Sequence, residues 1–458
     1  MRPRLPLAAG VVAARTAGRL SRLAGTGGGT TLPGKLLNIL DPTAVGRLAA
    51  RLPRGSAIVS ATNGKTTTAA MVAEILAPRL QLAHNSAGAN LLSGVASTLL
   101  SADGAELGLF EVDEAALPDV AGRVAPRALC LGNLFRDQLD RYGELELVAE
   151  RWRGAVRDLD SAAVLVANGD DPQVGDLAHE RDAAVVFGVD DPRHGSSGLQ
   201  HAADSKWCVR CGTPYDYASA YVGHLGDYRC PACGHGRPRL DLVAKEIELH
   251  GLEAVSFDLV EAEGALRVRL PLPGLYNVYN ALAAAALARV LGASREEIRS
   301  GLERFSAAFG RFERIPVGDR TVLMLLIKNP AGANEAVRTL VAGGYPRLAV
   351  IALNDAIADG RDVSWIWDVD FEPLLERVER VVATGDRAAE LALRCKYAGF
   401  PVDLIEVVPA LGDALDRGLE LTTSGEELVV LPTYTAMLRL RGIVSGRGYV
   451  KPYWERAA

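Results

Sequence analysis

Residues 62–67, Thr62-Asn63-Gly64-Lys65-Thr66-Thr67, gather in one short loop the groups that a triphosphate needs. Backbone N–H groups at a helix N-terminus point at an anion, and Gly64 lets that backbone approach closely. Lys65 brings positive charge to the β- and γ-phosphates of ATP, and the Thr66 hydroxyl can hold Mg²⁺. The match to GxxxxGK[ST] is incomplete, because Val59 stands where the first glycine belongs. Such a metal also needs a carboxylate at the end of a neighbouring strand. Glu111, closing the apolar run LGLFE, is expected there, with Asp113 and Glu114 as nearby alternatives.

A second constellation is made of cysteines. Cys208-Val-Arg-Cys211-Gly and Cys230-Pro-Ala-Cys233-Gly stand eighteen residues apart. In each CxxCG the glycine allows a tight knuckle, and two knuckles bring four thiolates to one tetrahedral metal. The spacing predicts a closed, structural Zn²⁺ site with no position left for substrate. His224 and His235 nearby read as surface residues. A nucleic-acid-reading ribbon is the rival explanation, but the segment is only mildly basic.

The elements that position these groups follow from periodicity. From Ala57 the chain alternates strand-like runs (AIVS, ELGLFEV, ALCLGN, AVLVAN) with helical patterns such as TTTAAMVAEILAPRL. That alternation predicts a parallel sheet covered by helices. The Cys-, Gly- and Tyr-rich insert occupies residues 201–240, after which EIELHGLEAVSFDLV and ALRVRLPL read as antiparallel strands. NVYNALAAAALARVLG is a helix. A second alternating unit near Val322 carries RLAVIALN, RVVATG, VDLIEVV and ELVVLPT and predicts a smaller Rossmann-like domain. The expected division is an N-terminal helical segment at 1–50, a central ATP-binding domain at 51–315 and a C-terminal domain at 316–458. The glycine tract at 25–30 reads as a linker.

Composition narrows the classes. The chain has 458 residues, 49% of them hydrophobic, with 50 Lys and Arg against 56 Asp and Glu and a net charge of −6. An acidic, evenly mixed surface disfavours a nucleic-acid partner. Of the six cysteines, Cys130 and Cys395 lie in apolar surroundings, so no disulfide framework is expected and the cytoplasm is the natural compartment. No apolar run reaches the length of a membrane span. The Arg-rich N-terminal segment reads as a helix packed on the next domain or touching anionic lipid, in preference to a signal peptide.

The loop TNGKT, with NLFRDQLDRYG at 133–143 and GLYNVYNALAA at 274–284, resembles the Mur ligase superfamily, whose members activate a carboxylate as an acyl phosphate for attack by an amine. In that resemblance Asn280 matches a residue near the nucleotide and Arg311 a linker arginine. Two departures stand out. Ala61 replaces a family glycine, which is tolerable if its φ is negative. Gln138 replaces a metal-binding histidine of many relatives, which leaves a second metal site in doubt.

The four-cysteine insert and the runs KNPAG (328–332), LNDAIADGRDVSWIWD (353–368) and PTYTAML (432–438) are similar to the MurT family, ligase subunits of lipid II isoglutaminyl synthase. The resemblance implies amidation of the D-glutamate α-carboxyl of the lipid II stem peptide. It also implies a heterodimer with a GatD-type glutaminase that supplies ammonia, peripheral membrane contact and a place near the inner membrane face. It gives Asp362 the role of completing the partner's Cys–His pair; locally GRD is a loop just after a strand, where a functional acid can be presented, and an Asp cap on the following segment is the alternative. The residues agree on a borrowed ammonia source. A glutaminase needs a Cys nucleophile beside a His base, all seven histidines lie at or before His250, and Cys395 sits in a helical pattern without a partner.

Overall fold

The computed structural model describes residues 7–23, 31–85, 89–137, 144–199, 203–306, 312–344 and 347–451. The glycine tract at 25–30, Gln138 and Arg311 lie outside them.

Ser56–Ser60 (β1), Leu107–Glu111 (β3) and Ala128–Leu131 (β4) are buried at every position. Strands covered on both faces are mainly apolar, with Ser56, Ser60 and Glu111 as the polar exceptions here, and these pair in parallel, β1 between β3 and β4. Leu82–His84 (β2), Val164–Asn168 (β5), Ala184–Val189 (β6), Leu242–His250 (β9), Ala254–Glu261 (β10) and Gly264–Leu270 (β11) extend the sheet. Among the described residues it has nine strands in the order β11-β10-β9-β6-β5-β4-β1-β3-β2. The antiparallel end, β9 to β11, is the hairpin series expected from sequence. Because β3 and β4 flank β1 on opposite sides, a crevice opens at the carboxyl end of β1, where α/β sheets bind ligands.

Helices Lys65–Leu76 and Leu275–Val290 cover one face. The latter buries Ala281, Ala283, Ala284, Ala285, Ala286 and Ala288, small side chains that let helix and sheet backbones approach. The opposite face carries helices Leu92–Leu100, Leu117–Val124 and Leu145–Arg157. The N-terminal helix Leu7–Leu23 buries Leu7 and Ala14 in that same layer, and Arg15 Nε donates to the Leu100 carbonyl at 2.8 Å. It packs on the next unit, one of the two readings that its amphipathic pattern left open. No helix among the described residues is long and apolar enough to cross a membrane.

A second sheet follows the order β12-β13-β17-β14-β15-β16. Its strands are Glu313–Val317 (β12), Arg320–Met324 (β13), Leu348–Ala352 (β14), Arg380–Thr384 (β15), Ile405–Val407 (β16) and Glu427–Pro432 (β17). All are parallel except the edge strand β12. β12 spans residues 315 and 316, so the expected boundary between these residues falls inside its first strand. The insert adds its own two-stranded sheet, Asp216–Val222 (β7) and Leu225–Arg229 (β8).

Candidate nucleotide and metal sites

β1 ends in the loop 61–64 and helix Lys65–Leu76 begins directly after it. Gly64 has φ +86°, and a Cβ there would lie 1.9 Å from Asn280 Oδ1. Only glycine fits on both counts. Ala61 keeps a negative φ, since Ala125 and Glu246 are the non-glycine residues at positive φ among those described. Thr62 N donates to the Asn133 carbonyl at 2.9 Å, and its hydroxyl accepts from Phe135 N at 3.1 Å. Asn63 N donates to Asn133 Oδ1 at 2.9 Å. The loop is thus tied to the exit of β4.

Lys65 is buried, with Nζ 3.1 Å from the Ala61 carbonyl and 3.0 Å from Glu114 Oε2. Burial alone would push its pKa down, but the charges of Glu114, Asp113 and Glu111 outweigh it and hold the ammonium above its ordinary range. Burial works against Glu114 likewise, and Lys65 and then Lys328 bring its carboxyl below the usual value. Glu114 is therefore the lysine's counter-ion. Asp113 is committed locally, accepting from Ala115 N at 3.2 Å.

Glu111 is the acid of the three that faces the Thr66 hydroxyl. It ends β3, its backbone is clamped by Asn85 through two 2.8 Å bonds, and its Oε1 accepts from the Thr66 hydroxyl at 2.8 Å. Its other oxygen, Oε2, is buried with no hydrogen-bond partner. A buried carboxylate oxygen without a donor is costly, and an Mg²⁺ shared with Thr66 would satisfy it.

The C-terminal domain closes over this loop. Asn329 caps helix Pro330–Ala342 through Gly332 N at 2.9 Å and exchanges two bonds with Asn63, at 3.0 and 3.3 Å. Lys328 pairs with buried Asp137, whose carboxyl burial pushes up against the pull of Lys328. Arg136 joins Asp204 and, at 3.3 Å, Asp368 of the second domain. The resulting cleft is lined by Asn63, Gly64, Thr67, Asn280, Leu325 and Lys328, with Val222 and Leu225 from the insert. The structure thus gathers Thr62, Asn63, Gly64, Lys65, Thr66, Thr67, Glu111 and Asn280. Asn85 joins them without having been singled out, and Asn133, Asp137, Lys328 and Asn329 join from the NLFRDQLDRYG and KNPAG runs, in which none of the four was given a role. An Asn or Lys in a loop carries no spacing signal, although the Pro after Asn329 marks a helix start.

The four cysteines converge. Cys208 and Cys233 sulfurs are 3.6 Å apart, Cys211 and Cys230 sulfurs 3.4 Å, and all four lie within 4.8 Å of one another. A tetrahedral zinc with Zn–S of about 2.3 Å spaces its sulfurs about 3.8 Å apart, so the set fits that ion. Gly212 and Gly234, at φ +74° and +76°, form the knuckles.

His224 and His235 are not surface residues. His224 is fully buried, 3.4 Å from Asp171 Oδ2, with its ring centre 4.5 Å from that of Phe135 at a tilt of 47°. His235 accepts or donates at Nδ1 with Tyr215 Oη at 2.7 Å, and its Nε2 lies 3.1 Å from Asp176. Both are drawn inside by carboxylates of helix Pro172–Ala178 and its cap, which the local sequence does not reveal.

Asp362 is exposed on the loop after β14 and is not among the cleft residues. Its Oδ1 accepts from Ser364 N at 2.9 Å in a local turn and caps no helix, since Val363 holds the cap position of the following helical turn; bonds from the Ser364 side chain and then its backbone draw the Asp362 pKa below the usual carboxylate value.

Two family models match the chain, the Mur ligase middle domain over residues 59–209 and the MurT ligase C-terminal domain over 326–437. The chain is 34% identical to the MurT subunit of lipid II isoglutaminyl synthase (glutamine-hydrolyzing) of Streptococcus pneumoniae, over 94% of this chain and 95% of that one. The Staphylococcus aureus MurT subunit is 31% identical over 93% and 94%.

The chain belongs to the MurT family.

Its middle-domain match contains the TNGKT loop and Glu111, and its C-terminal match contains Lys328, Asn329 and Asp362. Mur-type ligases share the fold. A pseudomurein peptide ligase of Methanothermus fervidus superposes with a TM-score of 0.69 at 21% identity, covering 88% of this chain and 80% of that one. The ADP complex of MurF ligase from Thermotoga maritima gives 0.64 at 14% identity, covering 91% and 83%.

Proposed function

We propose that this MurT-family ligase amidates the α-carboxyl of D-glutamate in the lipid II stem peptide to D-isoglutamine, using ATP and ammonia from a GatD-type glutaminase partner. One observation carries the reading: a complete phosphate and metal cradle coexists with the lack of a thiol nucleophile. The cradle is Gly64, Lys65, Thr66 and Glu111. Outside the ribbon the cysteines are Cys130 and Cys395, both buried, and burial pushes each thiol up to about 12. Neither can supply the thiolate that glutamine hydrolysis requires.

In this reading Lys65 neutralises the β- and γ-phosphates, and Thr66 with Glu111 hold Mg²⁺. The metal supplies charge neutralisation on the transferring phosphoryl group. The γ-phosphoryl passes to the substrate carboxylate, giving an acyl phosphate and ADP. Ammonia then adds to the activated carbonyl, loses a proton, and phosphate leaves. Lys328 and Asn329, brought down by the second domain, exclude water from the mixed anhydride. Asp362 faces the partner's Cys–His pair. The enzyme works at the inner membrane face, and exposed Val12 and Ile39 on the N-terminal helices are suited to peripheral contact.

The purified chain incubated with Mg²⁺-ATP, lipid II and ammonium chloride should convert one carboxyl to an amide, read as product mass. Lys65→Ala should abolish that conversion. An unchanged product mass, also after a glutaminase partner and glutamine are added, would sink the proposal.

A further inference from the structure

The insert does more in this molecule than hold a metal. Its metal cluster and the nucleotide cleft sit at opposite ends of one hairpin. At the open end, β8 runs directly into Cys230 and β7 follows Tyr215, which packs with Cys208, Tyr228 and Cys230 in a small apolar cluster. At the closed end, Val222 pairs with Leu225 across the turn Gly223-His224, where Gly223 has φ +59°. Val222 and Leu225 line the nucleotide cleft.

The closed end is also fastened to the phosphate loop. His224 packs against Phe135 with ring centres 4.5 Å apart and a tilt of 47°, and a Cβ on Gly223 would come within 2.7 Å of that ring. Phe135 N donates to Thr62 Oγ1 at 3.1 Å. Asp171 Oδ2 accepts from Leu134 N at 2.8 Å and faces His224 at 3.4 Å, so one carboxylate holds both the hairpin tip and the β4 exit. On the other side Arg338, in the C-terminal helix Pro330–Ala342, donates to the Tyr221 carbonyl at 3.0 Å. The hairpin therefore touches both domains that close on the nucleotide.

An isolated two-stranded hairpin is marginal in water, and metal binding by four thiolates is folding free energy for the segment that carries them. We infer that the four-cysteine ribbon is a strut whose metal sets the position of Val222 and Leu225, so that nucleotide affinity is coupled to metal loading. The inference rests on the ATP reading of the cleft.

The test measures Mg²⁺-ADP binding by calorimetry and bound zinc by atomic absorption on the full chain with its partner. Chelator-treated wild type, stripped of zinc, should bind Mg²⁺-ADP at least tenfold more weakly, and Zn²⁺ alone should restore it. Val222→Ala should weaken binding severalfold while keeping its zinc. Wild-type affinity in the stripped protein would overturn the coupling, and unchanged affinity in Val222→Ala would remove this wall from the cleft. Lys65→Ala separates the two readings. If it too binds ADP normally, the nucleotide site itself is wrong. If it alone loses binding, the site stands and the strut falls.

Discussion

The side-chain amides of Asn63 and Asn329 face each other across two domains, each oxygen accepting from the other's nitrogen, at 3.0 and 3.3 Å. Asn63 belongs to the loop after β1 and Asn329 starts a helix of the second domain, so this reciprocal pair, together with Lys328–Asp137 and Arg136–Asp368, ties the two domains across the cleft.

That pair predicts non-additive kinetics. Asn63→Ala and Asn329→Ala should each lower kcat/KM for ATP-dependent phosphate release. The double variant should cost little beyond the worse single, with a coupling of about 0.5–3 kcal/mol for residues in contact. Strict additivity would mean that the amides act separately.

Glu111 and Thr66 make the metal prediction. Loss of even an outer-shell partner costs about 10–100-fold in metal affinity, so Glu111→Gln should raise the Mg²⁺ concentration for half-maximal turnover by at least about tenfold. An unchanged Mg²⁺ titration would move the ligand to another acid.

Asp359 anchors the loop that carries Asp362. It accepts from Thr435 N at 2.7 Å and from the Thr435 hydroxyl, capping helix Tyr434–Gly446 from another segment. Asp359→Ala should lose about 1 kcal/mol of stability, the usual worth of a cap. It should also depress glutamine-dependent amidation more than ammonium-dependent amidation. Equal losses with both donors would confine Asp359 to stability.

Asp170 gives the pH dependence. It is fully buried, bonded to Tyr279 at 2.7 Å and Val189 N at 2.8 Å, and burial raises its pKa to about 6 against partial compensation by Arg237. A carboxyl raised in the folded state binds its proton more tightly there than in the unfolded chain. Its contribution is therefore fully present below the unfolded pKa near 4 and lost as pH rises through 6, the reverse of a salt-bridged acid. The stability of wild type relative to Asp170→Asn should fall by up to about 3 kcal/mol between pH 4 and pH 7, at about 1.4 kcal/mol per pKa unit. Parallel denaturation curves across that range would refute it.

Sequence by itself determined what is local. Lys65 and Thr66 were legible because strand, glycine and helix start are consecutive, and the ribbon because two CxxCG knuckles carry their own geometry. The parallel sheet covered by helices followed from hydrophobic runs alternating with helical patterns, whereas the order of its strands did not. What needed the tertiary structure were partners far apart in the chain. Asn63 and Asn329 are 266 positions apart, and nothing near either residue announces the other. Glu114 was one of three acids within four residues until the backbone turned it toward Lys65 and left Glu111 facing Thr66. His224 and His235 looked like surface residues because their carboxylates, Asp171 and Asp176, lie on a helix some fifty positions earlier. Periodicity and spacing encode the elements, whereas the pairing of buried polar groups is fixed only when those elements pack and each desolvated donor or acceptor must find a partner.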